Sequence, residues 1–559
     1  MKKTLLLTAM FISLAAFAMA SGSSAQTRGS GSAAISAQPG PVGRYNETLN
    51  LSWGVNSSSV QKFFNGDTYD NNIWSRKILQ DLNIKINVAF TANYETQAYR
   101  NQLNLYLASG DLPDLLRIDD YRQFRQAAEA GYLADITDVF ERYAGDDLKS
   151  LLQRYPGAFE YVTVNGRMYG IPPFNGNEQM APLLWVRDDW LKKVGMQAPK
   201  TVEEMVAVAR AFTFNDPDGN GRNDTYGLGM QKMINVRDHG TIGGLLSAFG
   251  IPNHAYDMYY PGKDGKITSP YIQSEVKEAL RVLQQMYREG LIDPEFITTD
   301  LTKVQQDIAR GRFGMAYGPN WGTWSPWNYA YTAENNWAVA YPYPVPTQAG
   351  YTPQYGYNSN KASGEIIVIN SRVKNPEALI KLVNHYMAFN NDWTSDADRA
   401  VYNDQEQYRF APTWVTESVE VRLTPIMTEA LNKRDSSALP PTFKDYYNRI
   451  VAFEANPVAQ DADTYGRWGQ YNTRGSMPII MGQYKSSGNL MESSLQAEQP
   501  QSLLDYGASL EKIIDQAFTE IITGQRPVDY FDTFVQDYLR AGGQQVLNDL
   551  DKTYGTGAK

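Results

Sequence analysis

The stretch SGDLPDLLRI, residues 109–118, contains a turn followed by a short apolar run. Gly110 and Pro113 end the helical pattern before them, because glycine readily adopts positive φ and proline lacks an amide hydrogen. The run from Leu115 to Ile118 has the length of a buried strand, and a helical pattern covers Tyr121 to Ala130 directly after it. The sequence therefore predicts a strand–helix unit around this stretch.

The same alternation of strands and helices extends in both directions along the chain. Further strands are predicted at 49–55, 84–90, 313–317 and 365–369. Further helices are predicted at 67–82, 94–109, 201–212, 273–289, 302–310, 376–387, 510–522 and 528–539, and Thr201 with Glu204 forms a capping box at the start of one of them. This alternation predicts an α/β fold with a mostly parallel sheet and helices on both faces. A chain of 559 residues also exceeds one hydrophobic core, so we expect at least two lobes.

Composition excludes several classes of protein. With 42% hydrophobic and 20% charged residues the chain is typical of a soluble globular protein, and its net charge of −10 argues against nucleic acid as a partner. The acidic balance also argues against an anionic polymer as ligand. Cysteine is absent, which rules out disulfides and a lipid-modified N-terminal cysteine.

The N-terminus has the pattern of a secretory signal. Lys2 and Lys3 precede the apolar segment 5–17, and Ala18-Met19-Ala20 is a small-x-small cleavage site. We therefore predict a signal peptide over residues 1–20 and a periplasmic or secreted protein. Residues 21–44 are rich in Ser, Gly, Ala and Pro, which predicts a disordered leader.

The loop DPDGNGRND, residues 216–224, has the spacing of a calcium-binding loop. Side-chain oxygens recur at Asp216, Asp218, Asn220 and Asp224, a backbone carbonyl is available at Arg222, and Gly221 occupies the position that needs positive φ. Position 12 of an EF-hand would be a glutamate, but it is Gly227 here. We predict a structural calcium ion; a plain Asx/Gly turn is the alternative.

Catalytic motifs are weak in this sequence. His239, His254 and His385 are far apart and show no metal-binding spacing, and no nucleophile elbow, P-loop or dinucleotide fingerprint follows a strand. A glycosidase would need two carboxylates across a cleft, and the sequence singles out no such pair. We therefore predict a protein that is not an enzyme, with a secreted glycoside-active enzyme as an alternative.

Ligand binding is better supported, because aromatic residues are concentrated in predicted loops. The segment GPNWGTWSPW, residues 318–327, follows a predicted strand and contains three tryptophans. Ligands of open α/β sheets lie beyond the carboxyl ends of strands, and indole faces match the C–H faces of sugar rings. Trp321 and Trp324 are the candidate ligand contacts, and we expect at least one of them to face a ligand and Trp327 to be structural. The alternative is that these tryptophans are anchors in the core or at a helix start.

Polar and aromatic residues of other loops complete the predicted binding site. Asp119 and Asp120 follow a strand and offer acceptors for sugar hydroxyls; a helix N-cap is the alternative. The remaining candidates combine an aromatic with polar or charged neighbours, and they are Asn177, Glu178, Trp185, Arg187 and Trp468.

The segments SGDLPDLLRIDDY, AEAGYLADITDVFERYA, VNGRMYGIP, LLWVRDDWLKKVG, NDPDGNGRNDTYGL, RGRFGMAYGPNWGTW and GEIIVINSRVKNPEALIKLVNHYM occur in this order over residues 109–387. Together they resemble the extracellular solute-binding proteins (family 1) of ABC sugar importers, the oligosaccharide-binding type that includes maltose- and alginate-binding proteins. The tail segment RPVDYFDTFVQDYLRAGGQQ resembles that family too.

The resemblance implies a type II periplasmic-binding-protein fold, with two α/β lobes, a hinge and a ligand cleft between them. It places the calcium ligands at Asp216, Asp218, Asn220, Arg222 and Asp224, and the sugar-stacking tryptophan at Trp321. We expect an N-terminal lobe from 45–175 and about 356–430, and a C-terminal lobe from 176–355 and about 431–559.

The implied function is capture of an oligosaccharide and its delivery to an ABC permease by a monomeric protein. Alginate is not favoured, because the acidic chain shows no basic ligand cluster. A chemosensory or peptide-binding receptor of the same fold is a further alternative.

Overall fold

The computed structural model describes most of the chain. The described residues are 34–57, 63, 66–93, 98–172, 174, 178–236, 238–253, 255–333, 338–358, 365–391, 410–415, 419–439, 441–495 and 499–555. The predicted signal peptide and Asn177 lie outside them.

Helices and strands alternate over the first two thirds of the chain, and helices dominate the last third. The α-helices are Ile73–Leu82, Ala98–Ser109, Tyr121–Glu129, Thr137–Tyr143, Asp146–Arg154, Pro156–Glu160, Asp188–Val194, Val202–Phe214, Gly243–Ala248, Ser274–Arg288, Leu301–Ala309, Trp327–Ala333, Glu377–Asn391, Val419–Lys433, Pro441–Ala455, Ala462–Tyr471, Gln501–Ile522, Tyr530–Tyr538 and Gln544–Tyr554. The strands are β1 (Leu49–Ser57), β2 (Ile84–Asn93), β3 (Leu115–Ile118), β4 (Thr163–Val164), β5 (Arg167–Met168), β6 (Leu183–Arg187), β7 (Tyr226–Leu228), β8 (Tyr260–Pro261), β9 (Ile267–Thr268), β10 (Phe313–Gly318), β11 (Ala340–Tyr343), β12 (Tyr355–Tyr357), β13 (Ile366–Ile369) and β14 (Leu490–Glu492). In the part of the chain that the structure describes, no helix combines the length and apolarity of a membrane span.

The first sheet has the strand order β13-β3-β1-β2. β1 runs parallel to both β2 and β3, as the strand–helix alternation predicts. β13 joins the edge antiparallel to β3, with Ile369 opposite Leu115 and Ile366 opposite Ile118. The residue before β13 therefore lies at the same edge of the sheet as the residues after β3.

The second sheet has the order β11-β6-β10-β7, and its strand directions differ from the prediction. Only β10 and β7 are parallel, whereas β6 runs antiparallel to both β10 and β11. The expectation of a mostly parallel sheet is therefore wrong for this half of the protein. A short apolar strand buries both faces in either direction, so its sequence does not encode that direction.

The hydrophobic side chains form separate cores around the two sheets. The first-lobe cores use residues from 45–174 and 366–415, and the second-lobe core uses residues from 181–355 and 423–550. The chain therefore passes between the two cores three times. Leu423 and Met427 pack in the second core, so the crossing comes earlier than the boundary expected near residue 430.

Residues 34–44 are docked on the first lobe rather than disordered as their composition predicted. Ile35 exchanges two hydrogen bonds of 2.9 Å with the Asn375 side chain. The buried Lys381 ammonium donates to the carbonyls of Gly40 and Gly43 at 3.1 and 2.8 Å. These polar partners lie in or next to the helix Glu377–Asn391, more than 300 residues away, where no local composition rule could reveal them.

Candidate ligand-binding cleft

One edge of the second sheet collects three of the nine predicted binding residues, Trp321, Trp324 and Glu178. Gly318 ends β10 and pairs with Leu183, the first residue of β6, while β7 ends nearby at Leu228. The loop 319–326 after β10 and the short 3-10 turn Glu178–Met180 before β6 therefore meet at this edge. We name the loop 319–326 the tryptophan loop.

A chain of hydrogen bonds holds the tryptophan loop in place. Trp324 Nε1 donates to Gln470 Oε1 at 2.8 Å, and Gln470 Nε2 donates to Asn320 Oδ1 at 2.9 Å. Asn320 Nδ2 then donates to the carbonyl of Gln179 at 2.8 Å, and Ser476 Oγ donates to the Asn320 carbonyl at 2.6 Å. Because these groups are largely buried and mutually satisfied, the loop is a rigid platform.

Trp321 lies at the surface of this platform with His239 beside it. Both Trp321 and Trp324 are half-buried, so each residue retains some exposure to solvent. The His239 ring is fully buried, 6.3 Å from the Trp321 ring in an edge-on arrangement, and its Nδ1 lies 3.2 Å from Asp238 Oδ1. A Cβ on Gly318 would lie 2.3 Å from His239 Cδ2, so only glycine allows this packing.

Trp185, Arg187 and Trp468 were wrong as ligand contacts. Trp185 is 0% exposed, and its Nε1 supports the tryptophan loop from below by donating to the Pro319 carbonyl at 2.9 Å. Arg187 ends β6 at the opposite edge of the sheet, where it pairs with Asp189 and lies over Trp190. Trp468 is buried and stacks on Phe453 at 4.3 Å. Trp327 is fully buried, which confirms its structural role.

Asp119 and Asp120 follow β3 at the corresponding edge of the first sheet. Asp119 forms a two-pronged ion pair with Arg100, with Nε 3.1 Å from both carboxylate oxygens and Nη2 2.9 Å from Oδ2. Asp120 caps the next helix, because its Oδ1 accepts the amides of Arg122 and Gln123 at 2.8 and 3.2 Å. Both carboxylates nevertheless stay partly exposed, at 25% and 20%.

Tyr161 and Asp257 were not predicted and mark where the two lobes approach each other. Tyr161 stacks on Tyr121 at 4.5 Å in the first lobe. Burial raises the pKa of Tyr161, and the nearby charges of Asp120, Asp119 and Asp257 raise it further. Asp257 belongs to the second lobe, so charges of both lobes act on one tyrosine hydroxyl. No spacing in the sequence links these residues.

Phe63 is a second residue that sequence reasoning missed. Its ring is 44% exposed, stacks on Phe410 at 5.0 Å and contacts the edge of Tyr69 at 4.9 Å. It follows β1, whose end lies beside that of β3 in the first sheet. An aromatic residue shortly after a predicted strand was the available signal, and Phe63 offers a flat apolar surface on the first lobe.

Glu178 lies at the edge of the second sheet, in the segment that crosses between the lobes. Its carboxylate is 3.3 Å from Lys485 Nζ. Burial raises the pKa of Glu492 on β14, and the charge of Glu178 raises it further. The first crossing segment therefore brings Glu178 next to the Lys485 ammonium group and close enough to Glu492 for its charge to act on that carboxyl.

The predicted calcium loop enters β7 at Tyr226, which pairs with Phe313 at the start of β10. The loop thus lies at the edge of the second sheet opposite Trp321. Gly219 and Gly221 both have a φ of 77°, and Asp216 accepts the Gly221 amide at 3.1 Å. Thr225 Oγ1 donates to the Phe212 carbonyl at 2.7 Å and ties the loop to the preceding helix.

The oxygen atoms of this loop are of the kind that a hard cation binds. In this structure, however, the side-chain amide of Asn220 is hydrogen-bonded to two of the carboxylates. Asn220 Nδ2 lies 2.8 Å from Asp218 Oδ2 and 3.1 Å from Asp224 Oδ1, while Asp216 Oδ1 is buried without a partner. Burial raises the pKa of Asp218, and the charges of Asp224 and Asp216 raise it further. Among the described residues, no three acidic or histidine side chains converge into a metal-binding group. Rotation of the Asn220 amide would replace the amide hydrogens with an oxygen ligand.

Comparison with known proteins identifies the family. The sequence profile of the family described as "Bacterial extracellular solute-binding protein" matches residues 66–388. The chain belongs to this family. Among curated proteins it is similar to lipoprotein LipO of Bacillus subtilis, with 30% identity over 219 residues that cover 39% of this chain and 41% of LipO. The chain matches only about two fifths of the length of these curated relatives.

Two further curated relatives carry names that mention a ligand. The polygalacturonan/rhamnogalacturonan-binding protein YtcQ of Bacillus subtilis is 28% identical over 39% of this chain and 41% of its own length. The fructooligosaccharide ABC transporter substrate-binding protein FusA of Streptococcus pneumoniae is 29% identical over 40% of this chain and 43% of its own length.

Solved structures establish the type II periplasmic-binding-protein fold. A solute-binding protein for HMO from Bifidobacterium longum infantis superposes with a TM-score of 0.63 at 17% identity, covering 91% of this chain and 98% of its own. FusA of S. pneumoniae with kestose gives 0.62 at 19% identity, covering 90% and 98%. The alginate-binding protein AlgQ2, solved without calcium ion, gives 0.60 at 17% identity, covering 91% and 98%. The expected fold class is thus confirmed.

Proposed function

We propose that this protein binds an oligosaccharide between its two lobes and delivers it to the transmembrane subunits of an ABC permease. The rigid platform that presents Trp321 at the strand edge of the second lobe is the observation that carries this proposal. A half-buried indole fixed by surrounding contacts provides a flat apolar surface for a sugar ring at little entropic cost.

The first lobe supplies the complementary polar and aromatic groups. Asp119 and Asp120 accept hydrogen bonds from sugar hydroxyls, and the exposed ring of Phe63 offers a second stacking surface. A ligand that contacts both lobes stabilises the arrangement in which they approach, and the three chain crossings provide the hinge. The function is binding without turnover.

A calcium ion in loop 216–224 has a structural role in this proposal. AlgQ2 was studied without calcium ion, and a solved FusA variant is described as an EF-hand mutant, so loops of this kind occur in proteins of this fold. The cation would be held by Asp216, Asp218, Asn220, Asp224 and the Arg222 carbonyl, and it would neutralise their mutual repulsion. Because the loop is at the opposite edge of the sheet from Trp321, the ion stabilises the second lobe without touching ligand.

We further propose that residues 1–20 are removed on export and that the protein acts as a monomer outside the cytoplasmic membrane. The extracellular designation of the family and the relation to LipO and FusA support this location. Delivery to a permease then requires only a surface that changes when the lobes close.

Calorimetric titration with a panel of neutral and acidic oligosaccharides tests the proposal. We expect a ligand that binds the wild-type protein, and we expect Trp321→Ala to weaken it at least about tenfold, since stacking on an aromatic side chain contributes on the order of 1 kcal/mol or more. Phe214→Ala is the matched control, because Phe214 is 54% exposed beside the calcium loop at the opposite edge. Equal affinity of wild type and Trp321→Ala would remove Trp321 from the site.

A further inference from the structure

The charges around the candidate cleft suggest which class of oligosaccharide it accepts. The named relatives include one for an acidic polymer and one for neutral fructooligosaccharides, so family membership leaves this question open. The answer depends on which ionised groups face the ligand and which of them are already neutralised.

Carboxylates are contributed to the cleft by both lobes. Asp119 and Asp120 lie beyond the end of β3 and are partly exposed, and the buried Asp257 of the second lobe adds its charge near the Tyr161 hydroxyl. Glu365, just before β13, lies at the same edge, because Ile366 is opposite Ile118. Such a surface accepts hydrogen bonds from uncharged hydroxyl groups, whereas a uronate carboxylate would compete with these carboxylates for the cations that they already hold.

Two guanidinium groups at the edge of the first sheet, those of Arg100 and Arg117, are paired with protein carboxylates. Arg100 holds Asp119 through three contacts of 2.9–3.1 Å. The buried Arg117 lies 3.4 Å from Glu365 and 5.5 Å from the centre of the Trp53 ring. A uronate could recruit these guanidinium groups only by displacing their present partners and leaving those carboxylates uncompensated.

We propose that the cleft selects uncharged oligosaccharides and rejects uronates. This inference rests on the proposed function, since it assigns the ligand class of the same site. Like charges placed side by side cost several kcal/mol, so we expect an acidic oligosaccharide to bind at least about a hundredfold more weakly than an uncharged one of the same shape.

Titration with a matched pair of ligands tests the selection directly. An oligogalacturonate and its methyl ester share chain and linkage and differ in charge, and neutral fructo- and malto-oligosaccharides complete the panel. If the uncharged oligosaccharides bind and the oligogalacturonate does not, the inference is supported. An oligogalacturonate that binds as tightly as the uncharged members overturns it and leaves the proposed function intact. If no oligosaccharide binds, the proposed function itself fails.

Salt dependence and one variant sharpen the result. Screening weakens repulsion, so any residual uronate binding should strengthen as sodium chloride rises. Uronate binding that weakens with salt would indicate recognition by a cation, with the exposed Lys232 after β7 as the first residue to replace, and would overturn the inference.

Asp119→Asn removes one carboxylate and releases Arg100, so it should raise uronate affinity at least about tenfold. Unchanged uronate affinity in a folded variant would also contradict the inference.

Discussion

Replacing Asn320 with alanine should loosen the platform that presents Trp321. Asn320 is 3% exposed, accepts from Gln470 Nε2 at 2.9 Å and donates to the Gln179 carbonyl at 2.8 Å. Each buried hydrogen bond is worth about 1 kcal/mol, and each partner left unsatisfied adds a desolvation cost of about 1–3 kcal/mol. Allowing for relaxation and water entry, we expect Asn320→Ala to lower the free energy of unfolding by about 2–4 kcal/mol.

Urea unfolding measures this loss, and a double-mutant cycle assigns it. Gln470→Ala removes the same hydrogen bond from the other side, so the double variant should lose less than the sum of the two single variants, by about 1 kcal/mol. Ligand affinity should also fall in Asn320→Ala, because the tryptophan loop must then be ordered on binding. A loss below about 0.5 kcal/mol, or strictly additive effects, would refute the argument that this hydrogen-bond chain fixes the loop.

Three further predictions concern other parts of the protein. Gly318→Ala should destabilise it by about 1–3 kcal/mol and weaken ligand binding, because the new methyl group would collide with His239. Chelation of calcium should lower Tm in the wild-type protein but not in Asp216→Ala, since the variant lacks a predicted ligand. Burial lowers the pKa of His385, although its contact with Asp81 opposes this, so the folded state binds fewer protons than the unfolded state. Stability should therefore fall as pH decreases through about 6.5.

Controls separate each effect from general damage. Gly482→Ala places a methyl group in open space within the helical segment Pro478–Tyr484, so it should not destabilise the protein in urea unfolding and should stabilise it by up to about 1 kcal/mol. If chelator leaves the Tm of the wild-type protein unchanged, the calcium assignment is contradicted. His385→Gln should flatten the dependence of unfolding free energy on pH between about 7 and 5.5, and an unchanged slope would assign it to other groups.

The sequence predicted strands and helices well where periodicity and local capping agree. Strand β1, strand β10 and the helix after Thr201 lie within three residues of their predicted ends. The helix predicted at 67–82 begins only at Ile73, because Asn72 caps it by accepting the amides of Trp74 and Ser75. The tail helix ending at Ile522 begins at Gln501, earlier than its apolar pattern indicated.

The candidate site was harder to predict than the fold. Aromatic residues next to polar residues indicate a loop or a buried packing position equally well, which is why Trp185 and Trp468 were misassigned while Trp321 is half-buried in a loop at the edge of the second sheet. The prediction that Arg187 contacts ligand failed because the sequence does not show that β6 runs antiparallel to its neighbours. The prediction of disorder failed for residues 34–44 because Lys381 and Asn375, which anchor them, are distant in sequence and carry no local signal.

The edge position of β13 has a consequence for how the chain folds during synthesis. β13 covers the outer edge of β3, yet it follows the whole central part of the second lobe in the sequence. Until residue 366 is available, β3 presents unpaired amide and carbonyl groups to any other strand. We therefore expect the nascent first lobe to depend on chaperones and to aggregate when translation stops before β13, because sheets completed by late, non-local strands form slowly.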